Sequence, residues 1–358
     1  MSGQTAERLA KIRSFLKQNN LDAILITNPF NRRYLSGFAG TSGALLIGLE
    51  QAYLVTDFRY VEQAKIQATE FTVQCWKEDF FNEIALIIKE AGWERLGFES
   101  KHVIYYNYQE MVKKLPGELI PFEDAVERLR MFKNEEELNT LKNGARVLDA
   151  AFEYICRRIK AGVAEKELAL DLEIYLKRQG AKEPSFRFIV ASGSRGAMPH
   201  ATASDKEIQD GELITLDFGG VFDDYATDMT RTVAYGEPGD KKREIYKLVK
   251  LAQEEARKAL KPGLKGWEID AVARDIFARA GYGEYFGHGL GHGVGLETHE
   301  QPVLNKHSNT VLEPGMVVTI EPGIYIPGSM GVRIEDMLCL TENGAEVITN
   351  SPRELIMI

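Results

Sequence analysis

The amino-acid sequence predicts an α/β domain followed by an α+β domain in which helices cover a mostly antiparallel sheet. Three observations support this fold class. Short apolar strands alternate with helical segments over residues 1–128. A long amphipathic helix then follows Asn134, and within residues 129–358 the order of a helix pair followed by strands occurs twice. We therefore expect one domain over residues 1–128 and a second over residues 129–358.

The first domain begins with a helix over residues 5–18, which places Leu9, Ile12 and Leu16 on one face. Further along, short apolar segments predict strands, and longer amphipathic segments between them predict helices. The predicted strands are residues 21–27, 44–48, 52–56, 71–76 and 95–99, and the predicted helices are residues 58–68 and 80–92.

The second domain begins with a helix for which Asn134 is a suitable N-cap and the acidic residues 135–137 suit the positive helix end. Two helix pairs are predicted, and each pair precedes a set of strands, which indicates an internal duplication with a cleft where the halves meet. The first helix pair starts at Asn134 and continues at residues 164–180, with strands at 186–193, 212–220 and 227–236. The second pair is predicted at residues 242–260 and 267–281, with strands at 317–326, 332–340 and 345–349.

The composition excludes several classes of protein. The formal net charge of -9, without a Lys/Arg run, argues against a nucleic-acid binder. No apolar run approaches the roughly 20 residues that span a bilayer. The three cysteines, Cys75, Cys156 and Cys339, are far apart and lack any C-x-x-C spacing, as in reduced intracellular proteins. We expect a cytoplasmic protein that binds neither nucleic acid nor membrane.

The stretch GHGLGHGVGLETHE, residues 287–300, holds three of the six histidines and a glycine at every second position from Gly287 to Gly295. His288 and His292 stand four residues apart, but the intervening glycines disfavour the helix that a zincin H-E-x-x-H motif needs. A G-x-G-x-x-G phosphate loop is also absent. We interpret the glycines as leaving room for a ligand against bare backbone.

Four acidic residues, Asp217, Asp228, Glu321 and Glu335, lie in or beside apolar strands. Each alone is explained by a solvent-facing strand end. Together with one histidine they favour a site for two divalent cations, because four crowded carboxylates repel one another unless two such ions offset their charge. Such ions lie about 3.5–4 Å apart and lower the pKa of a shared water toward about 7. One imidazole among oxygen ligands suits Mn²⁺, Co²⁺, Fe²⁺ or Zn²⁺.

At these positions the chain resembles the pita-bread metallopeptidases of family M24, which include methionine aminopeptidase, aminopeptidase P and prolidase. The resemblance rests on ITLDFGG, ATDMTRT, GHGVGLETHE, TIEPGIY and VRIEDM, in order and spacing over residues 130–358. It implies two divalent metal ions, Mn²⁺ or Co²⁺ ahead of Zn²⁺ or Fe²⁺. The implied metal ligands are Asp217, Asp228, His292, Glu321 and Glu335, with Asp228 and Glu335 bridging both ions.

The same resemblance implies roles for residues beside the metals. His200 and His299 match two active-site histidines of the family, His288 matches a third found in the Xaa-Pro-cleaving branch, and Glu321 is expected to transfer protons as well as to bind metal. We assign substrate binding to Arg333, Tyr225 and Phe186.

The branch of the family is indicated by the first domain, where NPFNRRYLSGFAG and VTDFRY resemble the N-terminal domain of prolidases, aminopeptidases P and creatinases. The complete ligand set argues against creatinase and against a non-catalytic pita-bread binding module. Some archaeal-type prolidases carry an arginine where Val303 stands here. We therefore expect an Xaa-Pro aminopeptidase acting on peptides with proline second, with an Xaa-Pro dipeptidase (prolidase) as the alternative, in a homodimer.

Overall fold

The computed structural model describes residues 2–358, which form two compact units, one ending at Arg130 and the other beginning at Met131. Each unit has its own hydrophobic core. Among the described residues, none of the helices is long and apolar enough to cross a membrane.

The first unit is built on one six-stranded mixed sheet with strand order β4-β3-β2-β1-β5-β6. β1 pairs antiparallel with β2 and parallel with β5, and all four of its residues are buried, as expected for a central strand. The elements are α1 Ser2–Gln18, β1 Ala23–Ile26, α2 Pro29–Ser36, β2 Ala44–Gly48, β3 Ala52–Thr56, α3 Val61–Gln67, β4 Thr72–Cys75, α4 Phe80–Ala91, β5 Arg95–Glu99, α5 Tyr105–Lys114, β6 Glu118–Phe122 and α6 Glu127–Arg130.

Three helices of this unit, α2, α5 and the four-residue α6, were not predicted from the sequence. α2 is only eight residues long, and its boundaries are set by local signals more than by apolar periodicity. The Asn28 side chain accepts hydrogen bonds from the backbone N–H groups of Phe30 and Asn31, Pro29 occupies the first turn, and Gly37 ends the helix at a φ of 76°.

The strands of the second unit pair only antiparallel wherever they form ladders. The two helix pairs predicted from the sequence are present. The elements are α7 Glu135–Cys156, α8 Glu165–Arg178, β7 Glu183–Pro184, β8 Ile189–Ser192, β9 Glu212–Phe218, β10 Gly220–Phe222, β11 Tyr225–Ala226, β12 Met229–Tyr235, α9 Asp240–Ala259, α10 Gly266–Arg279, β13 Gly291–Gly293, β14 Glu300–Leu304, β15 Val317–Ile320, β16 Gly323–Ile326, β17 Met330–Arg333, β18 Asp336–Thr341 and β19 Gly344–Val347.

Each helix pair packs on its own set of strands. In the first half, α7 starts with a capping box between Asn134 and Glu137, and its apolar stripe packs with α8 against β8, β9 and β12. In the second half, the buried faces of α9 and α10 pack against the sheet β14-β13-β15-β18-β19 and the hairpin β16-β17. The repeated order of elements in the sequence thus corresponds to two similarly built halves.

The segments predicted as single strands at residues 317–326 and 332–340 are each broken in the structure. The ladder of β15 with β18 ends at the pair Ile320 and Asp336, and the ladder of β16 with β17 begins at the pair Gly323 and Arg333. Two residues on each chain segment therefore lie between the two ladders, and each of these gaps contains one of the predicted glutamate ligands. Apolar residues flank both breaks, which is why the sequence pattern did not reveal them.

A buried ionic cluster fixes the chain just after the second gap. Both Asp336 carboxylate oxygens are used: Arg231 donates to Oδ1 at 2.7 Å and Gln253 to Oδ2 at 2.6 Å. Thr349 also donates to Oδ1, at 3.0 Å, and Arg231 bonds the backbone carbonyl of Ser351 at 2.8 Å. The cluster thereby links β12, β18 and the segment after β19.

The approach of α7 to the strands that lead into Asp228 depends on Gly144. A Cβ at this position would lie 2.7 Å from Phe222 Cδ2 and 2.7 Å from Thr227 Cγ2. We expect Gly144→Ala to lower the free energy of unfolding by about 1–2 kcal/mol, because this overpacking exceeds the gain of up to about 1 kcal/mol in helix propensity.

The measurement is chemical denaturation followed by far-UV circular dichroism. Ala150→Gly, at an exposed position of the same helix, reports the propensity difference alone. A Gly144→Ala chain that is more stable than the parent would show that the helix does not need this close contact.

Candidate active site

The predicted chemistry-bearing residues converge on one cavity of the second unit, with a volume of about 480 Å³. All five predicted metal ligands line it, as do His200, His288, His299, Arg333 and Phe186 from the predicted catalytic and substrate-binding sets. Its other lining residues are Arg187, Ile189, Pro199, Thr202, Gly289, Gly291, Val303 and Asn305.

The two aspartates come from the hairpin of β9 and β12. Asp217 is a strand residue of β9, opposite Thr230 of β12 on one side and Ile189 of β8 on the other. Asp228 directly precedes β12. Both carboxylates are buried, although a strand acid usually faces solvent.

The two glutamates lie in the gaps between the ladders described above, so their backbone N–H groups belong to neither ladder. The N–H of Glu321 donates to the Leu290 carbonyl at 2.8 Å, and that of Glu335 donates to the Thr230 carbonyl at 3.0 Å. The Thr230 hydroxyl also donates to Glu335 Oε2 at 2.7 Å. Glu335, from the second half, is therefore held against β12, from the first half.

His292 lies at the centre of β13 and directs Nε2 toward the carboxylates. Its backbone N–H donates to the Thr319 hydroxyl at 3.1 Å, and Nδ1 lies 3.0 Å from the Gly293 carbonyl. Nε2 lies 3.2 Å from Glu321 Oε1 and 3.7 Å from Asp228 Oδ2. With Nδ1 donating to the carbonyl, Nε2 is the nitrogen that could bind a cation.

The carboxylate oxygens are suited to a divalent cation. Asp228, His292 and Glu335 each offer a ligand atom, and these atoms lie within 4.8 Å of one another. Asp217 Oδ1, Asp228 Oδ1 and Glu335 Oε1 are buried without a hydrogen-bond partner among the described residues. Buried oxygens of this kind are rarely left unsatisfied, so their convergence fits positive charge supplied by metal.

The side chains of the cluster strongly perturb one another's ionisation. Burial, followed by the charges of Glu335 and Asp217, raises the pKa of Asp228 well above its usual range. Burial and the charge of Glu321 do the same to the pKa of Glu335. Burial alone would lower the pKa of His292, but the hydrogen bond and charge of Glu321 outweigh it and raise the value to about 9. The same pairing with His292 overcomes burial and lowers the pKa of Glu321 to about 2.

Arg333, Tyr325 and His288 form a hydrogen-bonded chain along the cavity wall. The Arg333 guanidinium is buried, pairs with Asp217 Oδ2, and donates to the Tyr325 hydroxyl at 2.8 Å. The Tyr325 oxygen lies 2.8 Å from His288 Nε2, and His288 Nδ1 lies 2.7 Å from the Gly289 carbonyl. Burial lowers the pKa of His288, so the neutral ring donates from Nδ1 and accepts at Nε2. Both nitrogens are thus occupied.

His200 and His299 are solvent-exposed residues of the cavity lining. The His299 ring lies 4.3 Å from the His292 ring, centroid to centroid. Desolvation, followed by the charge of His292, lowers the pKa of His299, which keeps its ring neutral. Phe186 contributes an apolar face and packs edge-on against Phe188 at 6.4 Å.

Tyr225 is not brought into the cavity, contrary to its predicted substrate-binding role. Its hydroxyl donates to Glu137 Oε1 at 2.6 Å, and its ring packs beside the cluster that contains Leu141 and Ala145. The physical reason is local, because Tyr225 belongs to the short strand β11, whose pairing with β10 directs the side chain to α7.

Two glycines of the 287–295 stretch, Gly291 and Gly293, lie against the backbone of neighbouring strands. A Cβ on Gly291 would lie 2.0 Å from the Thr319 carbonyl oxygen, and one on Gly293 would lie 2.2 Å from that of Gln301. The glycines therefore allow β13 to approach the backbone of its neighbours β14 and β15. This close approach holds His292 in place. Gly289 and Gly291 also line the cavity, so the room they leave for a ligand against bare backbone stays a prediction.

Sequence reasoning missed the polar residues that orient the ligands. Thr230 stands two residues after Asp228, and Thr319 stands two residues before Glu321. Alternation along a strand places such pairs on one face, so TDMT and TIE contained a signal for them. Tyr325 gave no such signal, because a tyrosine in a strand is ordinary and its contact with Arg333 joins β16 to β17.

Comparison with known proteins places both parts of the chain. Residues 139–342 match the model of metallopeptidase family M24, and residues 8–132 match the creatinase/prolidase N-terminal domain. The chain is 41% identical over 354 residues to the Xaa-Pro dipeptidase of Pyrococcus furiosus, covering 98% of this chain and 99% of that protein.

Solved structures agree with this placement. The Xaa-Pro dipeptidase from Bacillus anthracis has a TM-score of 0.97 and 47% identity, covering 99% of this chain and 100% of that one. The X-Pro aminopeptidase from Thermotoga maritima has a TM-score of 0.88 and 37% identity, covering 95% and 98%. The predicted fold class, a creatinase/prolidase-type α/β domain with a pita-bread α+β domain, is confirmed.

The close approach at Gly291 predicts a position-specific effect of added side chains. We expect Gly291→Val to abolish activity and divalent-metal binding, because β13 must move away from β15 and takes His292 with it. Gly287→Ala is the control, since a Cβ there has no atom within 4 Å, and it should leave both properties intact. Isothermal titration with Mn²⁺ and a peptidase assay measure the two effects; equal metal affinity in both variants would contradict this role.

The charge of the carboxylate cluster predicts that replacing Asp228 stabilises the metal-free chain and removes the stabilisation given by metal. At neutral pH the raised pKa of Asp228 means that its charged form opposes folding, since the folded chain holds the proton more tightly than the unfolded chain. Asp228→Asn should therefore raise the Tm of the chelator-treated chain, by about 2–8 °C for about 1–2 kcal/mol. It should also abolish the stabilisation that Mn²⁺ gives the parent.

Differential scanning calorimetry with and without Mn²⁺ tests this. The exposed Asp275→Asn makes the same charge change away from the cavity and should alter neither transition. An Asp228→Asn chain that Mn²⁺ stabilises as much as it does the parent would remove Asp228 from the ligand set.

Proposed function

The chain belongs to metallopeptidase family M24, whose members hold divalent metal ions, and we propose that it is an Xaa-Pro dipeptidase. The observation that carries the proposal is the convergence of Asp217, Asp228, His292, Glu321 and Glu335 on one cavity, with three buried carboxylate oxygens left without a partner among the described residues. We assign these five residues as ligands of two ions. Asp228, His292 and Glu335, whose ligand atoms lie within 4.8 Å of one another, would hold one of them. The family resemblance implies that Asp228 and Glu335 would serve both ions.

When bound, two such ions would lower the pKa of a water toward about 7 and polarise the scissile carbonyl. Glu321 is the proposed proton carrier. Its Oε1 faces the cavity beside His292, and it can accept the proton of the attacking water and deliver it to the proline nitrogen that leaves.

His299 and His200 are the proposed hydrogen-bond donors to the substrate. A neutral His299 carries one N–H, and the ring lies beside that of His292, where the carbonyl oxygen gains negative charge during the reaction. His200 reaches the same cavity from the opposite half of the unit. His288, with both nitrogens occupied, orients Tyr325 and Arg333 and does not exchange protons.

The apolar part of the cavity fits the proline ring. Phe186, Ile189, Pro199 and Val303 line it, and none of these side chains needs a hydrogen bond. Arg333 is assigned to the support of Asp217 and Tyr325, because its guanidinium is already engaged by them.

The choice between the two Xaa-Pro activities favours the dipeptidase. The sequence by itself favours the aminopeptidase, mainly because Val303 stands where some archaeal-type prolidases carry an arginine. The structural relative described as an Xaa-Pro dipeptidase exceeds the one described as an X-Pro aminopeptidase in both identity, 47% against 37%, and TM-score, 0.97 against 0.88. The dipeptidase alternative is thus the better supported of the two.

We further propose Mn²⁺ or Co²⁺ as the metal, since one imidazole among four carboxylates suits these ions. A cytoplasmic location is supported by the three cysteines, all of which are free thiols. The family resemblance supports a homodimer. The acidic net charge of -9 argues against a nucleic-acid partner, and no described helix is long and apolar enough to cross a membrane.

The decisive experiment compares Ala-Pro with Ala-Pro-Ala after loading with Mn²⁺ or Co²⁺. We expect the dipeptide to be hydrolysed with a kcat/KM at least about 10-fold higher, a difference in transition-state free energy of about 1.4 kcal/mol. Cleavage of the Xaa-Pro bond releases alanine from both substrates, with proline from Ala-Pro and Pro-Ala from Ala-Pro-Ala; these products are quantified by chromatography, and chelator-treated enzyme is the blank. Faster release of alanine from the tripeptide would restore the aminopeptidase, and cleavage of Met-Ala alone would place the chain in another branch.

A further inference from the structure

The cavity contains two arginines with opposite surroundings. Arg333 is buried, and its N–H groups are engaged by Asp217, the Tyr325 hydroxyl, the Thr230 hydroxyl at 3.2 Å and the Pro199 carbonyl at 3.3 Å. Arg187 is exposed and makes no hydrogen bond or ion pair with any described residue. Only the second guanidinium is available to a ligand.

Arg187 is held close to the ligand strands by the chain around it. It precedes Ile189 by two residues, which span at most about 7 Å. Ile189 is the direct partner of Asp217 in the ladder of β8 with β9. Between them, Phe188 is buried in the core and packs edge-on against Phe218 at 6.3 Å, which anchors the segment. Arg187 also borders a second cleft beside Lys166 and Glu173, so it stands at the rim of the cavity.

A substrate with a free C-terminal carboxylate needs a cation at this rim. The scissile carbonyl of an Xaa-Pro dipeptide must lie at the metal ligands, and its terminal carboxylate follows one residue later, about 3.5 Å further along the chain. The cavity already contains four carboxylates, whose charge two divalent ions would only offset. An additional carboxylate therefore requires its own positive partner.

Of the residues that line the cavity in the described part of the chain, Arg187 alone combines a permanent positive charge with free N–H groups. No lysine is among these lining residues, and Val303 on the wall offers only methyl groups. A guanidinium binds a carboxylate through two parallel hydrogen bonds, a geometry that an ammonium group does not reproduce.

We infer that Arg187 binds the C-terminal carboxylate of the substrate and so determines the preference for dipeptides. The inference rests on the proposed dipeptidase function and names the residue that makes it selective. Longer peptides place an uncharged peptide group at this point and forgo the ion pair.

The test compares Ala-Pro with Ala-Pro amide, which differ only in the terminal charge. We expect Arg187→Gln to lower the ratio of kcat/KM for Ala-Pro to that for Ala-Pro amide by about 10- to 100-fold, mainly through a higher KM for Ala-Pro. Arg187→Lys should recover part of the ratio, because it keeps the charge and loses the two-point geometry. Arg178→Gln, an exposed arginine at the end of α8, is the matched control and should leave the ratio unchanged.

The outcomes separate this inference from the function on which it rests. A parent enzyme that cleaves Ala-Pro and Ala-Pro amide equally well, or an Arg187→Gln variant with an unchanged ratio, would overturn the role of Arg187 and leave the dipeptidase standing. Equal losses on both substrates would show a structural role instead. A parent enzyme that fails to cleave Ala-Pro would refute the dipeptidase, and the inference with it, before any variant is made.

Discussion

Four buried carboxylates repel one another in the second unit, and the arrangement of the residues around them depends on this repulsion. Asp217, Asp228, Glu321 and Glu335 are brought together from two hairpins, and burial makes each charge more costly than it would be in water. The chain meets part of this cost with Arg333 and His292, and leaves three oxygens unsatisfied by any described residue. Such an arrangement is destabilising unless cations complete it, so the fold gives up stability to keep a binding site prepared.

The two halves of the unit hold one another in register at this site. Thr230 of the first half bonds the side chain of Glu335 and accepts from its backbone, and Thr232 exchanges hydrogen bonds with the backbone of Arg333 at 2.9 and 3.2 Å. The position of Glu335, a proposed ligand from the second half, is therefore determined by β12 of the first half. A site built in this way cannot form before both halves have folded and docked.

Most of the regular elements could be predicted from the sequence, and every predicted site residue except Tyr225 lines the cavity. Periodicity sufficed for α7 to α10, which have long apolar stripes, and failed for α2, α5 and α6, which are short and polar. It also failed at the strand breaks beside Glu321 and Glu335, because an apolar pattern does not show where a strand changes its partner. The role of the glycines was likewise hidden, since close backbone approach depends on strands that are distant in sequence.

The cluster around Asp336 ties Glu335, a proposed metal ligand, to a distant part of the chain. Glu335 faces the cavity while the next residue, Asp336, faces Arg231, Gln253 and Thr349, and Arg231 also bonds the carbonyls of Ser351 and Pro352. The segment after β19 thus supports Glu335 from the side opposite the cavity, through Arg231 and Asp336. We therefore expect fusions or truncations in this segment to displace the Glu335 carboxylate without touching the cavity, so that a tag or an immobilisation point is better placed elsewhere on the chain.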